Sequence, residues 1–175
     1  QLRGPIGRAG DADYRKACAI WNGMIERRPA LVARCKGRRD VVEAVRFARR
    51  HDLRTSIRGG GHNVAGHALC DDGFVIDLSL MNSVHVDEEA RRVRVGPGCR
   101  WRDVDRETYI FGQAVPNGII STTGVAGLTL GGGFGWLSRR WGLTCDHLES
   151  ADVVTAEGAC LTASRRNHPE LFWGL

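Results

Sequence analysis

Apolar and polar residues alternate along the chain in a pattern that predicts interleaved short helices and strands, and therefore an α+β protein. Apolar side chains recur at helical spacing in three segments, and we predict helices over residues 11–24, 38–51 and 101–111. In the second of these segments, Asp40 followed by Glu43 predicts a capping box. Compact apolar runs bounded by turn residues predict strands at residues 30–35, 55–58, 74–78, 83–86 and 92–95, and a strand pair over 151–162.

Glycine interrupts this pattern in two windows. The first window, residues 58–67, reads RGGGHNVAGH and follows a predicted strand. No side chain shields the amides of residues 59–61, so several N–H groups can point into one concavity, which is an anion nest suited to a pyrophosphate. Arg58 can add positive charge there, and Asn63 can bridge a turn. The alternative reading of this window is a flexible hairpin that carries a solvent-exposed histidine.

The second window, residues 118–138, reads GIISTTGVAGLTLGGGFGWLS and mixes loop with short helix. Its small residues remove side-chain bulk over many consecutive positions, which lets a large flat ligand lie against the backbone. The alternative is that the glycines only allow neighbouring elements to pack closely. Because two such windows occur in one chain of 175 residues, we favour a ligand that both windows share.

Charge and cysteine content exclude several classes of protein. The formal net charge of +5 comes mostly from 23 Arg that are scattered along the chain, which indicates a solvated surface and no nucleic-acid partner. No apolar run approaches the length of a membrane span, so we expect no membrane association. Six dispersed Cys without a CxxC pair indicate reduced thiols and a cytoplasmic protein. Walker, Rossmann, HExxH and GxSxG motifs are missing from the sequence, and we expect no metal site.

Four ordered blocks carry a resemblance to a known family. They are RGGGHNVAGHALCDDGFVIDLSLMNSV (58–84), RVRVGPGCRWRDVD (92–105), AVPNGIISTTGVAGLTLGGGFGWLSRRWGLTCDHLESADVVTAEG (114–158) and NHPELFW (167–173). The chain resembles the FAD-linked oxidases of the vanillyl-alcohol oxidase and p-cresol methylhydroxylase superfamily, nearest the berberine-bridge-enzyme-like bacterial oxidoreductases. This resemblance implies a p-cresol methylhydroxylase-type FAD-binding domain, with two α+β lobes, residues 1–80 and 81–175, around an extended FAD.

The resemblance also implies a set of residues around the cofactor. His62 matches the family histidine that bonds covalently to the 8α-methyl carbon of the flavin, whereas His67 has no attachment role and is interpreted as structural. Ile120 stands where some relatives carry a second, cysteinyl attachment, so we expect attachment through His62 alone. The residues expected at the FAD site are Arg58, Gly59, Gly60, Gly61, His62, Asn63, Gly66, His67, Pro116, Ser121, Thr122, Thr123, Gly124, Gly127, Gly131, Gly132, Gly133, Phe134, Gly135, Asp146, Val153 and Val154.

Relatives continue beyond their PELFW-like stretch into a substrate-binding domain that carries the catalytic base, whereas this sequence stops at Leu175. We therefore expect the FAD-binding portion of a flavin-dependent oxidoreductase, incomplete at its C-terminus, and no catalytic residue is named. The substrate class implied is an alcohol, a sugar or a related C–H donor. The alternative function is a truncated, non-catalytic fragment without bound FAD. A basic nucleic-acid-binding module is a third hypothesis that rests on charge alone.

Overall fold

A four-stranded sheet organises the N-terminal half of the computed structural model, which describes residues 2–175. Its strands, in chain order, are β1 (Ile6–Gly7), β2 (Leu31–Arg34), β3 (Thr55–Arg58) and β4 (Phe74–Asp77). They lie in the order β1-β2-β4-β3, and β4 pairs in parallel with both of its neighbours. All four residues of β4 are buried, as the apolar run Phe74–Ile76 predicts for a central parallel strand, and the run ends at the buried Asp77.

Helices cover both faces of this sheet. On one face, α2 (Arg38–Arg50) places the buried Ala44 and Ala48 in the same apolar cluster as Phe74 and Ile76 of β4. Small alanine side chains let the helix approach the sheet closely. On the other face, α1 (Tyr14–Cys18) packs against a cluster that contains the buried Leu69. The site described below lies at the carboxyl end of β3, the edge strand that pairs with β4.

The structure corrects two features of the predicted helices. The predicted helix over residues 11–24 is limited to Tyr14–Cys18, because the N–H of Trp21 donates to the carbonyl of Gly61 (2.9 Å) instead of continuing the helix. The predicted capping box of Asp40 and Glu43 is wrong. Helix α2 starts after Gly37, and the buried Asp40 carboxylate accepts hydrogen bonds from the backbone N–H groups of Arg3 (3.1 Å) and Lys36 (2.9 Å).

The C-terminal half contains two hairpins and several short helices. In chain order its elements are β5 (Val84–Asp87), β6 (Arg92–Val95), α3 (Trp101–Tyr109), α4 (Val125–Leu130), α5 (Ser138–Trp141), a 3-10 helix (Thr144–His147), β7 (Ser150–Val154), β8 (Cys160–Ser164) and α6 (Pro169–Trp173). Antiparallel pairing joins β5 to β6 and β7 to β8, which confirms the predicted hairpins. Asp152 of β7 accepts hydrogen bonds from Arg38 (2.7 Å) and Arg94 (2.6 Å), so it links this half to α2.

The predicted α+β class is confirmed, whereas the division into lobes at residue 80 stays a prediction. Strand β1 was missed by the sequence pattern, since two residues are too short to carry a periodic signal. All six Cys are free, with Cys35, Cys70 and Cys99 buried and Cys160 exposed. Across residues 2–175, none of the helices has the length and apolar character needed to cross a membrane.

Candidate cofactor site

The two glycine windows meet backbone against backbone. A Cβ added to Gly60 would lie 2.3 Å from the Cα of Gly124, and a Cβ added to Gly124 would lie 2.6 Å from the N of Gly60. Any side chain larger than hydrogen at either position would therefore drive the two segments apart. The 63 intervening residues give no local signal of this contact, so the sequence predicted each window but not that they touch.

His62 lies beside this contact and is held on three sides. Its Nε2 is 3.0 Å from the hydroxyl oxygen of Thr122, and its Nδ1 is 3.5 Å from the hydroxyl oxygen of Thr123. The indole of Trp21 stacks on the imidazole, with ring centroids 5.1 Å apart and an interplanar angle of 25°. The imidazole thus occupies a defined orientation where the first window meets the second.

The electrostatic surroundings of His62 favour its neutral form. Partial burial and, to a smaller extent, the positive charge of Arg100 lower the pKa of the His62 imidazole below its ordinary value. A neutral imidazole keeps a lone pair on one ring nitrogen, and that lone pair makes it a nucleophile near neutral pH.

Arg58 fixes the segment that carries Trp21. Its two terminal nitrogens donate to the carbonyl oxygens of Ala17 and Ala19, the latter at 2.8 Å. Its Nε is buried and has no hydrogen-bond partner among residues 2–175, and burial lowers the pKa of its guanidinium. The predicted positive charge of Arg58 therefore lies beside the glycine loop, but two of its nitrogen donors are already bound to the backbone carbonyls of Ala17 and Ala19.

A cavity of about 300 Å³ opens beside these groups. Its lining combines backbone, cationic and aromatic groups and consists of Ala19, Ile20, Trp21, Arg58, Gly60, His62, Arg100 and Thr122. Two arginines line it and no carboxylate does, so the cavity favours an anionic ligand. Trp21 and Arg100 were not predicted as site residues. Trp21 was assigned to a helical apolar stripe, and Arg100 is one of many dispersed arginines, so neither carried a local signal.

The second window is anchored to the first turn of α3. The carbonyl of Ser121 accepts from the N–H of Arg102 (2.9 Å), and the carbonyl of Thr123 accepts from the N–H of Trp101 (3.0 Å). Just beyond, Gly127 lies inside α4, and a Cβ there would meet no atom outside its own helix within 4 Å. Glycine costs stability inside a helix, so packing within the protein does not explain its presence at this position.

The glycines at 133 and 135 differ from Gly127, because they contact other parts of the protein. A Cβ on Gly133 would lie 2.3 Å from the Thr144 hydroxyl oxygen, and the carbonyl of Gly133 accepts from both the N–H and the hydroxyl of Thr144. A Cβ on Gly135 would lie 1.6 Å from the carbonyl oxygen of Asn117. These two glycines therefore permit close packing, as the alternative for this window proposed. Phe134 between them is exposed.

The remaining predicted residues make contacts that do not involve the His62 side chain. Asn63 bridges the turn as predicted, because its Oδ1 accepts from the N–H of His67 (2.9 Å). Asp146 accepts from the N–H of Leu143 (2.7 Å) and borders a second, polar cavity of about 540 Å³. Within residues 2–175, no hydrogen bond or ring contact joins His62 to the more distant members of the predicted set. These are Gly66, His67, Pro116, Gly131, Gly132, Gly133, Phe134, Gly135, Asp146, Val153 and Val154.

A cationic cleft between two glycine windows, built on this α+β fold, defines a binding domain for a large phosphate-bearing cofactor. The chain belongs to the family of FAD-binding domains, since a family model described as FAD binding domain matches residues 29–164. The expected family and its cofactor, FAD, are thereby confirmed.

The named relatives include bacterial and fungal oxidases. The curated (R)-6-hydroxynicotine oxidase of Paenarthrobacter nicotinovorans is 39% identical over 99% of this chain and 38% of its own length. The solved structure of 6-hydroxy-D-nicotine oxidase from Arthrobacter nicotinovorans has a TM-score of 0.97 at 39% identity, over 99% of this chain and 38% of that one. Glucooligosaccharide oxidase from Acremonium strictum, described with 6-S-cysteinyl, 8α-N1-histidyl FAD, has a TM-score of 0.92 at 26% identity, over 98% of this chain and 36% of that one. The chain thus spans less than two fifths of the length of these relatives.

Proposed function

We propose that this chain forms the FAD-binding part of a flavin-dependent oxidoreductase and that FAD is attached covalently through His62. The substrate class we propose is an alcohol, a sugar or a related C–H donor. Support comes from relatives named as oxidases of a hydroxynicotine and of glucooligosaccharides. The histidyl attachment described for the fungal relative supports the covalent link.

The residues present fit this cofactor. The cleft offers the backbone of Gly60 and the side chains of Arg58 and Arg100, and the buried Arg58 Nε has no partner among residues 2–175. A cationic lining of this kind suits a pyrophosphate. The open space beside Gly127 leaves room for a ligand against the backbone of α4. In this proposal residues 1–80 and 81–175 contact FAD as two lobes.

Each group of the cleft has a role that follows from its chemistry. Arg100 balances the negative charge of the phosphates and, with burial, keeps His62 neutral. Trp21 and Thr122 hold the imidazole in one orientation. Bound FAD would accept two electrons from the substrate and pass them to an acceptor. We propose that the outer part of the same site is formed by residues 131–135, Asp146, Val153 and Val154. A substrate-binding domain stays a prediction.

One observation carries the proposal. The Gly60–Gly124 contact brings His62, whose surroundings favour its neutral form, to the edge of one cleft. The two arginines proposed to bind phosphate, Arg58 and Arg100, line the same cleft. Neither a flexible hairpin nor packing alone accounts for a stacked and hydrogen-bonded His62 at that place.

Acid precipitation of the purified protein tests the attachment. Because acid unfolds the protein and releases noncovalent FAD, a yellow pellet reports a covalent bond. We expect the pellet to be yellow for the wild type and colourless for His62→Ala. The matched control is His67→Ala, since His67 is exposed and lies five residues away. A colourless wild-type pellet after incubation with FAD contradicts covalent attachment, and a failure to bind FAD at all favours the non-catalytic alternative.

A further inference from the structure

We propose that the Thr122 hydroxyl selects the nitrogen of His62 that becomes joined to FAD, by accepting the Nε2–H and leaving the lone pair on Nδ1. Thr122 is then a positioning residue, because it acts through the histidine. This inference rests on the proposed covalent attachment at His62.

The position of the Thr122 hydroxyl is fixed by the main chain around it. The N–H of Thr123 donates to the carbonyl of Ile120 (3.0 Å), and the carbonyls on either side of Thr122 are bound to the first turn of α3. The hydroxyl lies 3.0 Å from Nε2, within the ordinary hydrogen-bond range. The opposite nitrogen, Nδ1, is 3.5 Å from the Thr123 hydroxyl, which is longer than that range.

The imidazole is also prevented from turning over, which would put ring carbons where its two nitrogens now lie. Trp21 stacks on one face of the ring, and the N–H of Trp21 is bonded to the carbonyl of Gly61, directly before His62. Arg58 holds the carbonyl of Ala19, two residues before the indole. Turning the ring over would break the bond to Thr122 and disturb the stack.

A neutral imidazole has one N–H and one lone pair, and the bond made by one nitrogen sets the role of the other. With Nε2–H donated to Thr122, Nδ1 is the nucleophile. A bond forms between Nδ1 and the 8α carbon of the flavin, and one C–H bond at that carbon breaks. Two protons leave, one from that carbon and one from Nε2, and two electrons pass to dioxygen, which becomes hydrogen peroxide. Afterwards Nε2 carries the lone pair, and the Thr122 hydroxyl can donate to it.

The time course of covalent attachment tests this role. Protein prepared without flavin is mixed with FAD in air, and samples are precipitated with acid at intervals to measure retained flavin. We expect Thr122→Val to slow attachment about tenfold, the size expected when one buried hydrogen bond is lost. Thr122→Ser restores the hydroxyl and the rate. The matched control Thr55→Val removes a hydroxyl outside the site, at the start of β3, which donates to the carbonyl of Leu53, and is expected to change the rate less than about twofold.

Two further measurements separate this inference from other failures. Affinity for FAD is measured before acid treatment, and the attachment rates are compared at saturating FAD, so a slower rate in Thr122→Val reports slow attachment and not poor binding. Nitrogen-15 NMR of flavin-free wild-type protein is expected to show the Nε2–H tautomer of His62. Because this measurement uses the wild type, it does not depend on the folding of any variant. An Nδ1–H tautomer, or attachment at the wild-type rate in Thr122→Val, would overturn the role of Thr122. Flavin retained by His62→Ala would instead overturn the covalent site itself.

Discussion

Replacing Gly60 by alanine removes the contact on which the site depends. The added Cβ would lie 2.3 Å from the Cα of Gly124 and 2.5 Å from its N. Carbon atoms pack at roughly 3.5 Å or more, so relief requires the windows to separate by about 1.2 Å. Both atoms belong to backbone, so no side-chain rotation can absorb the strain. Neither glycine has a positive φ, so the effect is steric alone.

The same displacement bears on both stability and attachment. Overpacking of this kind costs about 1–3 kcal/mol, and each kcal/mol lowers the melting temperature of a chain of this size by about 2–4 °C. Moving the second window by about 1.2 Å would also stretch the His62–Thr122 bond beyond the hydrogen-bond range. We therefore expect Gly60→Ala to melt earlier and to acquire little covalent flavin.

Urea unfolding and acid precipitation of the same preparations measure both effects. The matched control is Gly23→Ala, because a Cβ at Gly23 meets no atom within 4 Å and its φ is not positive. We expect Gly23→Ala to be unchanged or more stable by up to about 1 kcal/mol. If Gly60→Ala matched this control in stability and in covalent flavin, the argument from backbone contact would be refuted.

Three other changes test separate parts of the site. Gly127→Ala is expected to raise the stability of the flavin-free protein by about 0.5–1 kcal/mol in urea unfolding but to weaken FAD binding in a titration; equal or tighter binding would contradict a ligand there. Arg58→Gln is expected to cost about 1–3 kcal/mol in urea unfolding and to speed amide exchange at Trp21, whereas unchanged exchange would contradict the clamp. Arg100→Gln removes a positive charge and should raise the pKa of His62 in an NMR titration. As the pH is lowered, attachment should therefore begin to fail at a higher pH than in the wild type. An unchanged pKa would contradict the cause assigned to the shift.

Local sequence patterns predicted those parts of the fold that local physics determines. The central strand β4 begins with a buried apolar run, and the strands of both hairpins begin and end within two residues of the predicted bounds. The end of α1 was not predictable, because the carbonyl of Ala17 is taken by Arg58, a residue 41 positions away in sequence. Asp40 likewise left the predicted capping box because Arg3 approaches it from outside the helix.

The candidate site shows the same division. His62 and Thr122 were expected at the FAD site from the family resemblance, and the structure brings their side chains within 3.0 Å. Trp21 was missed, because its stacking depends on the loop that Arg58 anchors and not on its neighbours in sequence. Gly133 was assigned to the cofactor, yet its contact is with Thr144. Composition indicates where backbone approaches something closely but does not say whether the neighbour is ligand or protein.

Peptide mapping of the purified protein tests covalent attachment most directly. Trypsin cleaves after Arg58 and Arg91 and so releases residues 59–91, which contain His62, His67 and His85. We predict that this peptide carries the mass of FAD less two hydrogens and that its fragment ions place the flavin on His62. An unmodified peptide from FAD-loaded protein, or a flavin located on His67, on His85 or elsewhere in the chain, would contradict the account.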